Sequence, residues 1–284
     1  MLATWKYKPR NTFIQRLDPR ARLIFYACFL LSVFLFWDLR VLVGFMLVAF
    51  AAVLAGRLSW QDTRRTWLLT GAFITVYALL TLFTGRGGMG GLEANHHERI
   101  LAVWQAPFTL LGWRPVLQIS VEQIFTALSQ FARVFSVAAL TILIPFTINP
   151  AQYGITFRRL GLPDKLAFAI DLTMRFVPSL GRDFAMTMDA QRARGYELER
   201  REGGLFQQVR RLAPLLVPVV IHSIVNGEEI TDAMDLRAFG TQPRTWLDDL
   251  TYARRDYVLI AIGVLILAAS VLASILGYGR LWAP

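Results

Sequence analysis

The chain has 284 residues, of which 55% are hydrophobic and 18% charged, a balance too apolar and too poor in charge for an ordinary soluble domain. Its formal net charge of +10 would suit a nucleic-acid surface, but half of the excess lies in residues 1–22. There Lys6, Lys8, Arg10, Arg16, Arg20 and Arg22 face only Asp18, directly ahead of an apolar block, where positive-inside bias and anionic lipid account for it. The expected partner is therefore the lipid bilayer and not nucleic acid. The single cysteine, Cys28, precludes an intrachain disulfide and signals no redox compartment. The N-terminus lacks a small-residue cleavage pattern after its first apolar run, so it reads as an anchor and not as a cleaved signal.

Two apolar blocks come first, Leu23 to Trp37 and Val41 to Gly56, separated only by Asp38-Leu39-Arg40. At 15 and 16 residues each is short for a span, where about 20 is usual. Trp37 at the joint and arginines outside suit a tight hairpin that crosses the bilayer twice. Thr66 to Thr84 is a third span. Residues 85–120, opened by five glycines, read as an extracytoplasmic loop with some extended or interfacial structure. Within it His96-His97 beside Glu93 and Glu98 is either a metal pair or, as is commoner for adjacent histidines in a polar loop, simply solvated; no metal site is expected. A fourth span becomes fully apolar from Val134 to Ile148, with Pro145 as a kink. Tyr257 to Gly279, 23 residues without a charge, is the last. The fold class is thus an all-α polytopic membrane protein with about five transmembrane helices. Residues 1–148 carry the tail and four spans, and 257–284 carry the fifth. The charge asymmetry of the loops places the N-terminus and residues 149–256 in the cytoplasm.

Residues 149–256 carry fifteen basic and fourteen acidic groups and read as a cytoplasmic helical domain inserted before the last span. Asn149-Pro150 starts a helix that closes at Gly161, and Pro163-Asp164 starts another. Leu166 to Leu180 is an apolar stem with Asp171 and Arg175 four apart, the favourable order for a helix-face pair. Beyond Pro178 the stretch turns polar and ends in Ala193-Arg194-Gly195. After Gly203-Gly204 the plan repeats. The stem Leu212 to Val225, kinked by Pro214 and Pro218, reads as a helix buried in protein, with His222 packed and hydrogen-bonded inside it. A tip follows through Glu228, Glu229, Asp232 and Asp235 to Leu236-Arg237-Ala238 and Gly240. The arginine-rich first tip and the acid-rich second imply ion pairing between Arg192, Arg194, Arg200, Arg201 and the acids. A small residue beside an arginine lets a helix end approach another protein while the guanidinium meets a carboxylate there. The plain alternative is that Arg194 and Arg237 are two of 27 arginines on solvated faces.

No catalytic residues are legible. The only lysines, Lys6, Lys8 and Lys165, follow no glycine-rich loop, so ATP hydrolysis by this chain is not expected.

Ile-Pro-Phe-Thr-Ile-Asn-Pro (144–150), Arg-Leu-Gly-Leu-Pro (159–163), Thr-Met-Arg-Phe-Val-Pro (173–178) and Ala-Gln-Arg-Ala-Arg-Gly-Tyr (190–196) together resemble the transmembrane T component of energy-coupling factor (ECF) vitamin and metal-ion importers. Leu17-Asp18-Pro19-Arg20-Ala21-Arg22 and Asp232 to Gly240 resemble further motifs of that family. The resemblance implies a non-catalytic coupling subunit in a prokaryotic cell membrane. It would join two cytoplasmic ABC-type ATPases, which hold the ATP and Mg, to a small membrane-embedded substrate-binding (S) subunit. It also implies ATPase docking by Ala193, Arg194 and Gly195 at one tip and by Leu236, Arg237 and Ala238 at the other, with no cofactor in this chain. Two other classes compete: a membrane-embedded enzyme that uses the acidic helix face and His222 on a lipid-like substrate, and the permease of an ordinary ATP-driven importer.

Overall fold

A computed structural model describes residues 7, 9–10, 12–84, 100–105, 116–196, 205–241 and 250–277. The chain divides into two compact units. One spans 150–250, and the other joins 6–149 to 251–284. His96, His97, Glu93, Glu98, Arg200 and Arg201, for which the sequence suggests roles, lie outside the described residues.

In the membrane-type unit, α1 (Pro19–Leu35) and α2 (Leu39–Ala55) begin alike. Asp18 and Asp38 each accept a hydrogen bond from the backbone N–H two residues on, Arg20 and Arg40, and satisfy an orphan donor of the first turn. Each helix has 17 residues, about 25 Å at 1.5 Å per residue. Helix α3 covers Trp60–Thr84 and α4 Val121–Thr147; between them β1 (Ile100–Gln105) pairs antiparallel with β2 (Val116–Ser120), so the 85–120 segment does contain extended structure. Helix α8 (Arg254–Ile275) closes the unit. The all-α reading stands, with this one hairpin added.

Helix α4 packs against α1, α2 and α3, while α8 packs along α1. Phe25, Phe29 and Val33 of α1, Leu42 and Ala49 of α2, and Ala139, Leu140 and Leu143 of α4 form the buried centre. Two glycines set the spacing. A Cβ at Gly56 would lie 2.7 Å from Leu143 Cδ1, and one at Gly263 of α8 would lie 3.2 Å from Phe25 Cα. At the α1–α2 joint, Arg133 of α4 donates to the Phe36 carbonyl and lays its guanidinium over the Trp37 ring, 4.3 Å from the centroid. Trp37 is thus tied to protein, beyond any interfacial role.

The opposite end holds a buried polar clasp. Asp256, at the start of α8, accepts from the Asp18 N–H at 2.9 Å and from the Ala253 N–H at 2.8 Å. Asp18 in turn receives a two-oxygen hydrogen-bonded pair from Arg20, whose guanidinium lies 3.9 Å from the centroid of the Tyr252 ring. Arg22 donates to the carbonyl of Thr147, the last residue of α4. Asp18, Arg20, Arg22 and Asp256 are all buried. Charges in such a place survive only when paired and hydrogen-bonded. The clasp gathers the residue where the chain leaves toward 150–250 and the residues where it returns.

In the 150–250 unit a 3₁₀ turn (Pro150–Gln152) leads into α5 (Tyr153–Arg159), followed by α6 (Asp164–Ala193) and α7 (Leu205–Leu236). Helix α5 packs so closely on α6 that a Cβ at Gly154 would sit 2.7 Å from Asp171 Cβ. Asp171 therefore faces α5, and the expected Asp171–Arg175 pair is absent from the ion pairs among the described residues. Arg158 instead pairs with Asp164 between the two helices.

By length and composition alone, Gln123–Thr147, Leu212–Leu236 and Arg254–Ile275 are apolar enough to cross a membrane, and Leu39–Ala55 is a shorter apolar helix. The second of these contains the stem 212–225. Among residues 212–225 only Leu215 is buried, and His222 is exposed with no polar partner among the described residues. This chain does not itself supply the cover that the stem was expected to have.

Removal of the clasp carboxylate tests its weight. Asp256→Ala should lower the stability of the detergent-solubilised protein by about 2–3 kcal/mol, since two hydrogen bonds to a buried charge are lost. Asp256→Asn, which keeps one acceptor oxygen, should lose about half as much; thermal unfolding measures both.

Candidate docking tips and the paired helices that carry them

The two arginine tips end their helices in the same way. At the end of α6, Gly195 takes φ +80°; its N–H donates to Arg192 O, and that of Tyr196 to Gln191 O. At the end of α7, Ala238 takes φ +52°; its N–H donates to Asp235 O, and that of Phe239 to Met234 O. Both are Schellman closures with the arginine at the C-cap, where a cation also favours the helix dipole. Helix α5 closes likewise through Gly161 and Leu162, but with Leu160 at the cap. The closure alone therefore marks no docking site. What sets the two tips apart is the arginine, held outward on a backbone that turns sharply away.

The flanking residues differ, yet the geometry does not. Ala238 occupies the left-handed position that Gly195 fills at the first tip, which costs an alanine about 1 kcal/mol. The departure of Leu236-Arg237-Ala238 from an Ala-Arg-Gly pattern thus leaves its backbone intact. Leu236 is 90% exposed, beside an exposed Arg237. Arg194 is exposed too, and among the described residues neither arginine has an acidic partner.

The tips do not come together. Helices α6 and α7 run antiparallel: Phe168 near the start of α6 packs against Phe239 beyond the end of α7, with ring centroids 4.9 Å apart. Gln191 near the end of α6 donates from Nε2 to the carbonyl of Pro214 in α7 at 3.3 Å. Arg194 and Arg237 therefore sit at opposite ends of the pair. The expected ion pairing of Arg192 and Arg194 with Glu228, Asp232 and Asp235 is not formed among the described residues, and Arg192 pairs with Asp189 one turn back. Opposite tip charges could meet only if the helices were parallel.

Helices α6 and α7 run through Pro178, Pro214 and Pro218 without interruption. Each proline removes a backbone donor from the ladder. The donor missing at Pro218 is the one that would have satisfied the carbonyl of Pro214, four residues earlier, and Gln191 fills that role from across the interface. A lost intrahelical bond has become an interhelical one. Between the helices lies a groove of about 370 Å³ lined by Ser179, Asp183, Ser223, Asn226 and Glu229 among others. Sequence reasoning missed both Gln191 and the groove, because each depends on the antiparallel register. A proline at i+4 from a carbonyl was the available signal. No cluster of three or more metal-ligating side chains exists among the described residues.

Two substitutions test this geometry. Ala238→Gly should stabilise the second tip by about 1 kcal/mol by relieving the left-handed backbone, and Gly195→Ala should weaken the first by a similar amount. Slower and faster amide exchange at Phe239 and Tyr196, respectively, reads the change. Gln191→Ala should loosen the helix pair by about 1 kcal/mol in thermal unfolding. The loss should shrink in a Pro218→Ala background, where a backbone N–H satisfies the Pro214 carbonyl.

Comparison with known proteins places this geometry in context. Residues 10–246 match the family CbiQ, described as cobalt transport protein. An energy-coupling factor transporter transmembrane protein of Bacillus selenitireducens is 27% identical over 274 residues, covering 94% of this chain and 95% of the relative. Its counterparts in Lactococcus lactis (26%, covering 90% and 91%) and Thermotoga maritima (28%, covering 92% and 91%) are similar. These matches span both the membrane-type unit and the helix pair with its two arginine tips, and the chain belongs to the CbiQ family of transmembrane T components of ECF transporters.

Proposed function

We propose that this chain is the non-catalytic coupling subunit of an ATP-driven importer of a vitamin or transition-metal ion. The observation that carries the reading is the repeated tip: an exposed arginine with no acidic partner among the described residues, at a Schellman-closed helix end, once at each end of an antiparallel pair. A 30-residue helix is about 45 Å long at 1.5 Å per residue, so the tips are spaced to engage two separate bodies. Two cytoplasmic ABC-type ATPases, with ATP and Mg in their own sites, are the proposed occupants. Arg194, with Ala193 and Gly195, meets a carboxylate on one, and Arg237, with Leu236 and Ala238, meets one on the other.

The exposed stem explains the other half of coupling. Leu216, Val217, Val220, Ile221 and Ile224 form an uncovered apolar face on α7, which a small membrane-embedded S subunit or lipid would cover. When the ATPases close, displaced tips shift the paired helices against one another, and Gln191 carries strain from the first tip into α7 at Pro214. In this reading the N-terminus and the 150–250 unit are cytoplasmic, as the loop charges favour.

Charge reversal tests the docking. Arg194→Glu or Arg237→Glu should weaken ATPase association by about 2–5 kcal/mol, the cost typical of losing one partner of a buried charge pair at an interface. Uptake should fall while membrane insertion stays normal. Wild-type complex yield and transport by the doubly reversed variant would sink the assignment.

A further inference from the structure

We infer that the α2–α3 turn forms a binding site for one anionic phospholipid. A groove of about 500 Å³ opens there, walled by Phe50, Val53 and Leu54 of α2, Trp67 and Leu68 of α3, and Phe135 of α4. Its size falls within the ~300–1,000 Å³ usual for small-molecule sites, and its walls suit acyl carbons. Arg57 is the one charged residue that lines it.

Three features give the groove a cationic rim. Arg57 stands in the left-handed region at φ +44°, a conformation that an arginine adopts only at a cost. Arg10 holds it there by donating from Nη1 to the Arg57 carbonyl at 3.0 Å. Trp60, Arg64 and Leu68 follow one another at four-residue intervals, so they form one row along α3. Since Trp60 and Leu68 both line the groove, exposed Arg64 lies between them on its rim. The acid of the turn, Asp62, is engaged by Arg10 at 2.7 Å, and Arg57, Arg64 and Arg65 have no acidic partner among the described residues.

A cluster of bare guanidinium groups over an apolar slot, with two tryptophans at the boundary, has the amphipathic order of a lipid: headgroup phosphate above, chain below. An anionic headgroup is favoured over a zwitterionic one because Arg57 and Arg64 at the groove have no acidic partner among the described residues. A protein partner would more naturally bring carboxylates, and the test separates the two. The inference does not depend on docking by Arg194 or Arg237.

Brominated lipids read the site directly, because bromine quenches nearby tryptophan and Trp60 and Trp67 line the groove. The purified full-length protein is titrated in mixed micelles with brominated phosphatidylglycerol and, separately, with brominated phosphatidylcholine. A Trp60→Phe/Trp67→Phe variant isolates their share of the signal. The glycerol lipid should bind roughly tenfold more tightly than the choline lipid, with the preference shrinking as salt is raised. Arg57→Gln/Arg64→Gln, substitutions at exposed positions, should abolish the preference while leaving choline-lipid quenching and size-exclusion behaviour unchanged. Arg57→Lys/Arg64→Lys should retain most of it. Equal affinity for the two lipids in the wild type, which is ordinary solvation by bulk lipid, would overturn the inference. So would a preference that survives the glutamine variant, or an absence of quenching at Trp60 and Trp67 in the protein purified with its partner subunits, which would mean that a protein covers the groove.

Discussion

Everything in the membrane-type unit is referred to one buried set of charges. Buried Asp18 and Arg20 pair with each other, and buried Asp256 is satisfied by two backbone N–H groups, since a buried charge left without such partners costs several kcal/mol. Their mutual hydrogen bonds therefore lock the entry of α1 to the entry of α8, and Arg22 adds the exit of α4. The covalent links to the 150–250 unit thus depart from a site that resists deformation. The clasp supplies that stiffness at one end of α1 while Arg133 and Trp37 hold the other.

The helix pair works under a different constraint. Its apolar surface is largely uncovered, so stability within it comes from directed contacts such as Phe168 against Phe239 and Gln191 on the Pro214 carbonyl. Prolines inside α6 and α7 remove ladder hydrogen bonds, and one of the freed carbonyls is used to join the helices. An interface made this way is specific in register and modest in strength. Those properties suit the coupling role proposed above.

Antiparallel packing decides where the two arginine tips lie. With parallel helices, the arginine-rich and acid-rich tips would neutralise each other. The observed arrangement separates them by the length of a helix and leaves each arginine without an acidic partner among the described residues. The left-handed Ala238 shows how much sequence latitude that geometry tolerates: alanine replaces glycine at a modest energetic cost, and the arginine keeps its place.

By itself, the sequence determined the class of protein, the approximate extent of the apolar helices and the residues on the tips. Apolar block length, a helix start such as Pro163-Asp164, and terminators such as Gly161 and Gly240 are local signals, set by hydrogen-bond satisfaction within a few residues. The short motifs around Arg194 and Arg237 were legible for the same reason. Pairings across distance were not. The bond from the Asp18 N–H to Asp256 spans 238 positions, and Asp256 by itself is one more charge at the edge of an apolar block. Asp171 and Arg175 have ideal spacing for a helix pair, yet α5 takes that face instead. His222 and its stem read as interior, because apolarity reports a wish for cover without saying which molecule provides it. The direction in which α6 and α7 pass each other was decided only in three dimensions, since helix periodicity is the same for parallel and antiparallel neighbours and only side-chain packing distinguishes them.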